Sequence, residues 1–312
     1  MLPAMLFYFF KKIAKNVYNY IFLSILFSGV IRLREVASKR IKEAVKQLFI
    51  DANYNLPCDI VKGIDKCRDC ETAETAKKAL DIIKENIDAA NKLSVPICQD
   101  TGMAVVFLEI GRNVHITGGS IESAVNEGVK EAYEKGLLRK SVVEDPLERI
   151  NTNDNTPAVI HYEITEGENV KITALPKGFG SENMSALKML IPADGKKGVV
   201  DFVINTVKNA GSRPCPPVVV GVGIGGTFEQ CAILAKKALC RPIDSSNINE
   251  NYKNLEDELL EKINNLNIGA QGFGGKQTAL GVNVEYAPTH IAGLPVAVNI
   301  SCHVTRHKCV IL

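Results

Sequence analysis

The sequence predicts a mixed α/β fold of the α+β kind, with a helical N-terminal third followed by mixed sheets with surrounding helices. Three observations predict it. Apolar residues recur at three- and four-residue steps as far as residue 92, the period of helices buried on one side. From Val95 the texture changes to short apolar runs broken by Gly and Pro, as strands between turns are. Helical segments are interleaved with these runs without strict alternation, so a regular βαβ array is not expected.

The elements follow in chain order. Residues 31–57, IRLREVASKRIKEAVKQLFIDANYNLP, read as an amphipathic helix with Val36, Ile41, Val45 and Leu48 on one side, closed by Asn-Leu-Pro. Ala79, Leu80, Ile83, Ile87 and Ala90 form the same stripe on a later helix. The runs 104–110, 114–118, 158–164 and 170–176 are expected strands. Helices are expected over 120–138 and over 185–192 (SALKMLIP). PPVVVGVGIGG (216–226) reads as a buried strand running into a glycine turn, followed by the helix TFEQCAILAKKAL. A further helix covers 255–265, and two strand-like runs lead towards Leu312.

Composition narrows the classes of function. With 312 residues, 46% hydrophobic and 23% charged, the chain can bury a sizeable core and is neither disordered nor fibrous. The 37 basic and 35 acidic residues nearly cancel, so neither nucleic acid nor an anionic membrane is an expected partner. Nine cysteines, an odd number scattered through a long chain, suit a reducing, cytoplasmic compartment better than a disulfide scaffold. Residues 1–30 stand apart as an apolar appendage whose only charges are Lys11, Lys12 and Lys15. The uncharged stretch there falls short of the ~20 residues that span a bilayer. It reads as a membrane-associating segment or, more simply, as an over-long translated start, with the folded domain occupying residues 31–312.

Fifteen of the 24 glycines lie between residues 178 and 293, in the clusters KGFGSEN, GVGIGG and GAQGFGG. Such clusters let a backbone approach a ligand closely. Gly221-Val-Gly223-Ile-Gly225-Gly226 satisfies G-x-G-x-x-G between a strand and a helix, which admits a nicotinamide-binding oxidoreductase as one reading. No second strand follows that helix before Pro242, so the unit is incomplete. Gly274-Gly275-Lys276-Gln277 lacks both a glycine at 270 and a hydroxyl after the lysine, and fails as a phosphate loop.

Cys67-Arg-Asp-Cys70 has no second ligand pair and reads as two ordinary helix residues. Cys98, Cys215 and Cys302 instead sit in loops at strand edges, within PICQDTG, RPCPP and NISCH. Their spacing alone leaves two readings open: three unrelated structural thiols, or a soft ligand set that converges in the folded core.

Five blocks then carry a resemblance. PICQDTG, KGFGSENMS, RPCPPVVVGVGIGGTFEQ, GAQGFGGKQTALGVNVE and PTHIAGLPVAVNISCHVTRH closely resemble the class I, iron–sulfur fumarate hydratases and the related L-tartrate dehydratases. The similarity is to the α subunit of the two-subunit form, over roughly residues 31–306 and in order. It implies a class I fumarase α-domain fold and a 4Fe–4S cluster held by Cys98, Cys215 and Cys302. One iron then lacks a protein thiolate and acts as a Lewis acid. It further implies Gln99, Arg139 and Gly180 as substrate-binding residues, with Asp100 and His290 as catalytic proton carriers. The implied reaction is the reversible hydration of fumarate to L-malate, a step of the tricarboxylic acid cycle, with L-tartrate dehydration as the alternative. The family's remaining active-site groups, among them its base, belong to a second domain that this chain does not contain. A separate β subunit in an α2β2 heteromer is therefore expected, acting on a small dicarboxylate.

Overall fold

The structure, a computed structural model, describes residues 33–312, so the appendage expected over residues 1–30 lies outside the described residues. The first described element is a strand, β1 (Arg34–Ala37), and not the start of a long helix. It pairs in parallel with β3 (Val114–Thr117), which places Val36 opposite Ile116. The helix expected from residue 31 begins only at Ser38: α1 spans Ser38–Tyr54. The single apolar residue Val36 between Glu35 and Ala37 satisfies a two-residue period as well as a helical one, and a waiting strand decided the matter.

Two helices follow, α2 (Cys58–Cys70) and α3 (Glu74–Leu93), joined by a short turn at Glu71. Next come β2 (Met103–Gly111), β3 and α4 (Ile121–Lys135), the last capped by the Ser120 hydroxyl, which accepts from the Ser123 N–H. Strands β4 (Val159–Thr165) and β5 (Val170–Lys177) complete a sheet with β10 (Lys308–Ile311), in the order β10-β5-β2-β4. Helices α1 and α4 cover one face of it, burying Phe49, Leu108, Val129 and Ile172 together.

The second sheet has the order β6-β9-β7-β8 and begins after a four-residue helix, α5 (Phe179–Glu182). Its strands are β6 (Ala186–Leu190), β7 (Val218–Gly226), β8 (Ala279–Thr289) and β9 (Leu294–Ser301). The helix expected over 185–192 is thus the edge strand β6, which pairs antiparallel with β9, Leu187 opposite Ala297. Five residues, Ala-Leu-Lys-Met-Leu, are too few to show a distinguishing period, and the free edge of β9 captured them. Helices α6 (Gly195–Ala210) and α8 (Glu250–Asn264) pack on one face, around Val203, Leu259, Val284 and Val298. Helix α7 (Phe228–Ala238) packs on the other.

The G-x-G-x-x-G segment is not a turn. It lies within β7, hydrogen-bonded to β8 on one side and to β9 on the other. A Cβ on Gly221 would fall into the carbonyl oxygen of Ala235, and one on Gly223 into that of Cys231. These glycines let α7 lie directly on the strand, a packing function that leaves no phosphate cradle. β7 does run parallel to β8, but the crossover between them carries both α7 and α8.

A third core, formed by α2 and α3, joins the second sheet at the N-terminal end of β7. Ile60, Ile64, Leu80 and Ile87 meet Val219, Leu239 and Val304 there, with Cys98 and Cys302 packed at its border. Cys67 is buried within it, and burial pushes its thiol up to about 12, as suits an inert helix residue. Among the described residues no helix is long and apolar enough to cross a membrane.

Candidate active site

Four strand ends meet beside this third core. Residues 98–102 lead into β2, Lys177 and Gly178 leave β5, Cys215 precedes β7, and Cys302 follows β9. Pairing sets the alignment. Met103 lies opposite Lys177 in the first sheet, and Val219 opposite Ser301 in the second. The loop of Asp100 is therefore brought against α5, and the loop of Cys215 against Cys302.

The Asp100 carboxylate holds this junction. One oxygen accepts the Gly102 N–H at 3.0 Å and the other the Phe179 N–H at 3.0 Å. Gly180, in the same turn of α5, is exposed, and a Cβ there would meet nothing within 4 Å. Nothing among the described residues requires glycine at that position. Thr101, buried behind Asp100, donates its hydroxyl to the Arg139 carbonyl at 3.0 Å. The Tyr133 hydroxyl sits 2.8 Å from the carbonyls of both Thr101 and Gly102. Asn155, fully buried, donates to the Gly102 carbonyl at 3.2 Å and accepts from the N–H groups of Ser141 and Val142. Together these residues tie the Gln99–Asp100 loop to the segment that presents Arg139, whose side chain and that of Gln99 are both exposed.

Cys215 occupies a tight turn with φ of +53°, and His303 holds it. The His303 N–H and ring Nδ1 both face the Cys215 carbonyl, at 3.4 and 2.9 Å. Gln271 supports the next residue, its main-chain and side-chain N–H groups each donating to the Pro216 carbonyl at 2.8 Å. The glycines around Gln271 serve this support. Gly269 closes against the Gly274 carbonyl, and Gly272 presses on Ser212. Lys276 and Gln277 donate their main-chain N–H groups to the Glu71 carboxylate, which also takes those of Thr72 and Ala73. The anion held by this glycine loop is therefore the chain's own Glu71. Burial opposes its charge, yet the four N–H groups hold its carboxyl below the ordinary value.

The three cysteines do converge. Burial pushes the Cys215 thiol up, and Cys98 adds to it; burial likewise raises Cys302, with Arg306, the Val304 N–H and Lys177 opposing and Cys98 adding. Each of these two thiols thus feels Cys98, with Cys302 half-buried and Cys215 exposed at the mouth of the junction. Among the described residues no three His, Cys, Asp or Glu side chains are grouped around a single-ion position. A multi-iron cluster distributes its thiolates over different irons, so three soft donors at the mouth of one junction fit it.

His290 is not brought to this site. It caps the opposite end of the sheet, where Gly226 pairs with Thr289, whereas Cys215 and Cys302 lie at the start of β7 and the end of β9. Eight residues of β9 separate the ends, roughly 25 Å of extended chain. His290 is exposed, accepts the Ala292 N–H at its Nδ1, and borders a cleft of about 510 Å³ with Tyr252 and Lys196.

The family profile described as Fumarate hydratase (Fumerase) matches residues 42–311. The chain belongs to the fumarate hydratase family. Among its relatives, the Methanocaldococcus jannaschii protein named "Putative L(+)-tartrate dehydratase subunit alpha" is 45% identical over 273 residues, covering 86% of this chain and 95% of that one. The L(+)-tartrate dehydratase subunit alpha of Escherichia coli K12 is 32% identical over 277 residues, covering 88% and 91%. Within this fumarate hydratase family the chain is a hydro-lyase component of the α+β type. Thr101, Tyr133, Asn155, Gln271 and Arg306 around its cysteine site escaped the sequence reading. Thr101, Gln271 and Arg306 lie inside the blocks that carry the resemblance without a role of their own there, and Tyr133 and Asn155 have no spacing signal, so their contacts alone mark them.

Proposed function

We propose that the chain is the α subunit of an iron–sulfur hydro-lyase that interconverts fumarate and L-malate, with a 4Fe–4S cluster on Cys98, Cys215 and Cys302. The observation that carries the reading is the convergence of those cysteines on the loop that presents Gln99 and Asp100. When bound, the cluster supplies an open iron that acts as a Lewis acid towards the departing hydroxyl. The chain's own residues supply position and protons. Arg139 offers an exposed guanidinium to a substrate carboxylate, and the bare backbone at Gly180 allows the other end to approach closely. Asp100, already fixed through both oxygens, keeps lone pairs free to orient the C2 hydroxyl; in hydration it takes a proton from the water that adds at C2, and in dehydration it returns that proton to the departing hydroxyl, which leaves as water.

His290 lies too far from the cysteines of its own chain to share in this step. Its role as a proton carrier requires it to act from a second α copy, which accords with an α2β2 assembly. The base that removes the C3 proton comes from the β subunit. All nine cysteines are free, which accords with a reducing cytoplasmic setting. The names of the relatives favour a second reading, L(+)-tartrate dehydration at the same site. Anaerobic assays of the α–β complex separate the two. Malate should yield the ultraviolet absorbance of the fumarate double bond, whereas turnover of tartrate alone would establish the second reading.

A further inference from the structure

Four acidic or basic side chains are buried among the described residues, and three are answered within the chain. Glu71 takes four backbone N–H groups. Glu256 takes Arg241 and the N–H groups of Asn247 and Val284. Lys177 meets Glu182 at 3.3 Å and donates to the Ile300 carbonyl.

Arg306 is the fourth, with 3% of its surface exposed. One terminal nitrogen donates to the Asp100 main-chain carbonyl, and Nε is buried without a partner among the described residues. Among the described residues it forms no ion pair with Asp or Glu. The nearby Asp100 carboxylate is turned away, both oxygens being taken by Gly102 and Phe179. A guanidinium cannot shed its proton, and burying its charge without an opposite charge is costly. Arg306 stands four residues after Cys302 and is bonded to the loop two residues after Cys98, so its charge sits between the segments that carry two of the three cysteines.

We propose that Arg306 is a positioning residue and the built-in counter-ion for the anionic group held by the three cysteines, tying the loop of Cys302 to the loop of Asp100. This rests on the reading of Cys98, Cys215 and Cys302 as cluster ligands. Three thiolates bring negative charge to the mouth of a junction where Cys98 and Cys302 are half-buried and Cys215 is exposed, and among the described residues Arg306 is the one buried cation there without a carboxylate of its own. Its hydrogen bond to the Asp100 carbonyl makes the charge directional, since the guanidinium cannot swing away to water.

The test uses the full chain in complex with its β subunit, as wild type, Arg306→Met and Arg306→Lys. Thermal midpoints are measured before and after anaerobic cluster reconstitution, and the midpoint potential of the loaded cluster is measured alongside. Without cluster, Arg306→Met should melt within roughly 2 °C of wild type, because the unpaired charge is removed together with its hydrogen bond. The rise in melting temperature on loading should fall by half or more. The potential should become more negative, since a positive charge beside the cluster has gone. Arg306→Lys should restore both towards wild type. An Arg306→Met complex that melts early without cluster, yet keeps the full rise and an unchanged potential, would make Arg306 a packing tie and overturn the proposal alone. Wild type that takes up no iron would overturn the cysteine reading and the proposal with it.

Discussion

Asp100 is bonded to the first residue of α5 and Gly180 is the second, but the two answer to different demands. Both Asp100 oxygens receive backbone N–H groups, so an Asp100→Asn change turns an amide N–H against that of Gly102 or Phe179. A mismatch of this kind costs about 1–3 kcal/mol. Turnover of the α–β complex should fall further, by the ~10²–10⁴ of a positioned acid–base group, while iron content stays near wild type. Iron lost in step with activity would reduce Asp100 to a structural brace. Gly180 has open space where a side chain would stand. Gly180→Ala should therefore leave the melting temperature of the chain unchanged and raise KM roughly ten-fold, about 1.4 kcal/mol of lost substrate contact. An unaltered KM would remove Gly180 from the substrate site.

At the scale of elements, the glycines of β7 and those around Gln271 turn a sequence signal for ligands into a signal for packing. A methyl group on Gly223 collides with the α7 backbone, and neither partner is a flexible side-chain tip. Gly223→Ala should destabilise the fold by about 1–3 kcal/mol or more. Denaturant melts would show this, and nicotinamide nucleotides should stabilise neither wild type nor variant. Glu71 links the end of α2 to the loop before β8 through the N–H groups of Lys276 and Gln277, and its carboxyl is held below the ordinary value. Its contribution is complete above the unfolded carboxylate value of about 4.3 and is lost as pH falls through the depressed folded value. The gap in melting temperature between wild type and Glu71→Gln should be constant near neutral pH and should close only in acid. A gap that narrowed between pH 6 and 8, taken as about the neutral range, would point to another group.

The molecule as a whole has its cysteines at one end of the second sheet and His290 at the other. If His290 serves a neighbouring copy, two defective α subunits should complement each other. Co-assembled His290→Asn and Cys215→Ser chains, each inactive alone with the β subunit, should recover roughly one quarter of wild-type turnover in a randomly mixed two-fold assembly. Absence of recovery would exclude action in trans. Purified α without β should show no dehydration of malate at all, because the base is expected on the partner.

The sequence by itself determined the fold class, most of the strands and the ligand candidates. Long periodic segments such as 121–135 and continuous apolar runs such as 103–111 leave the chain little choice. It determined too that Cys98, Cys215 and Cys302 differ from Cys67 and Cys70, since loop and helix contexts are written in neighbouring residues. Only tertiary structure decided what short or permissive segments became. Residues 34–37 and 186–190 are strands because β3 and β9 offered open edges. The glycines of β7 face a helix because α7 lies on them. A separation of 12 residues between His290 and Cys302 looks like proximity in a sequence, yet an extended strand of that length carries its ends to opposite sides of the molecule. The unpaired charge of Arg306 was equally invisible, because burial and the want of a counter-ion are properties of the surroundings and not of the residue.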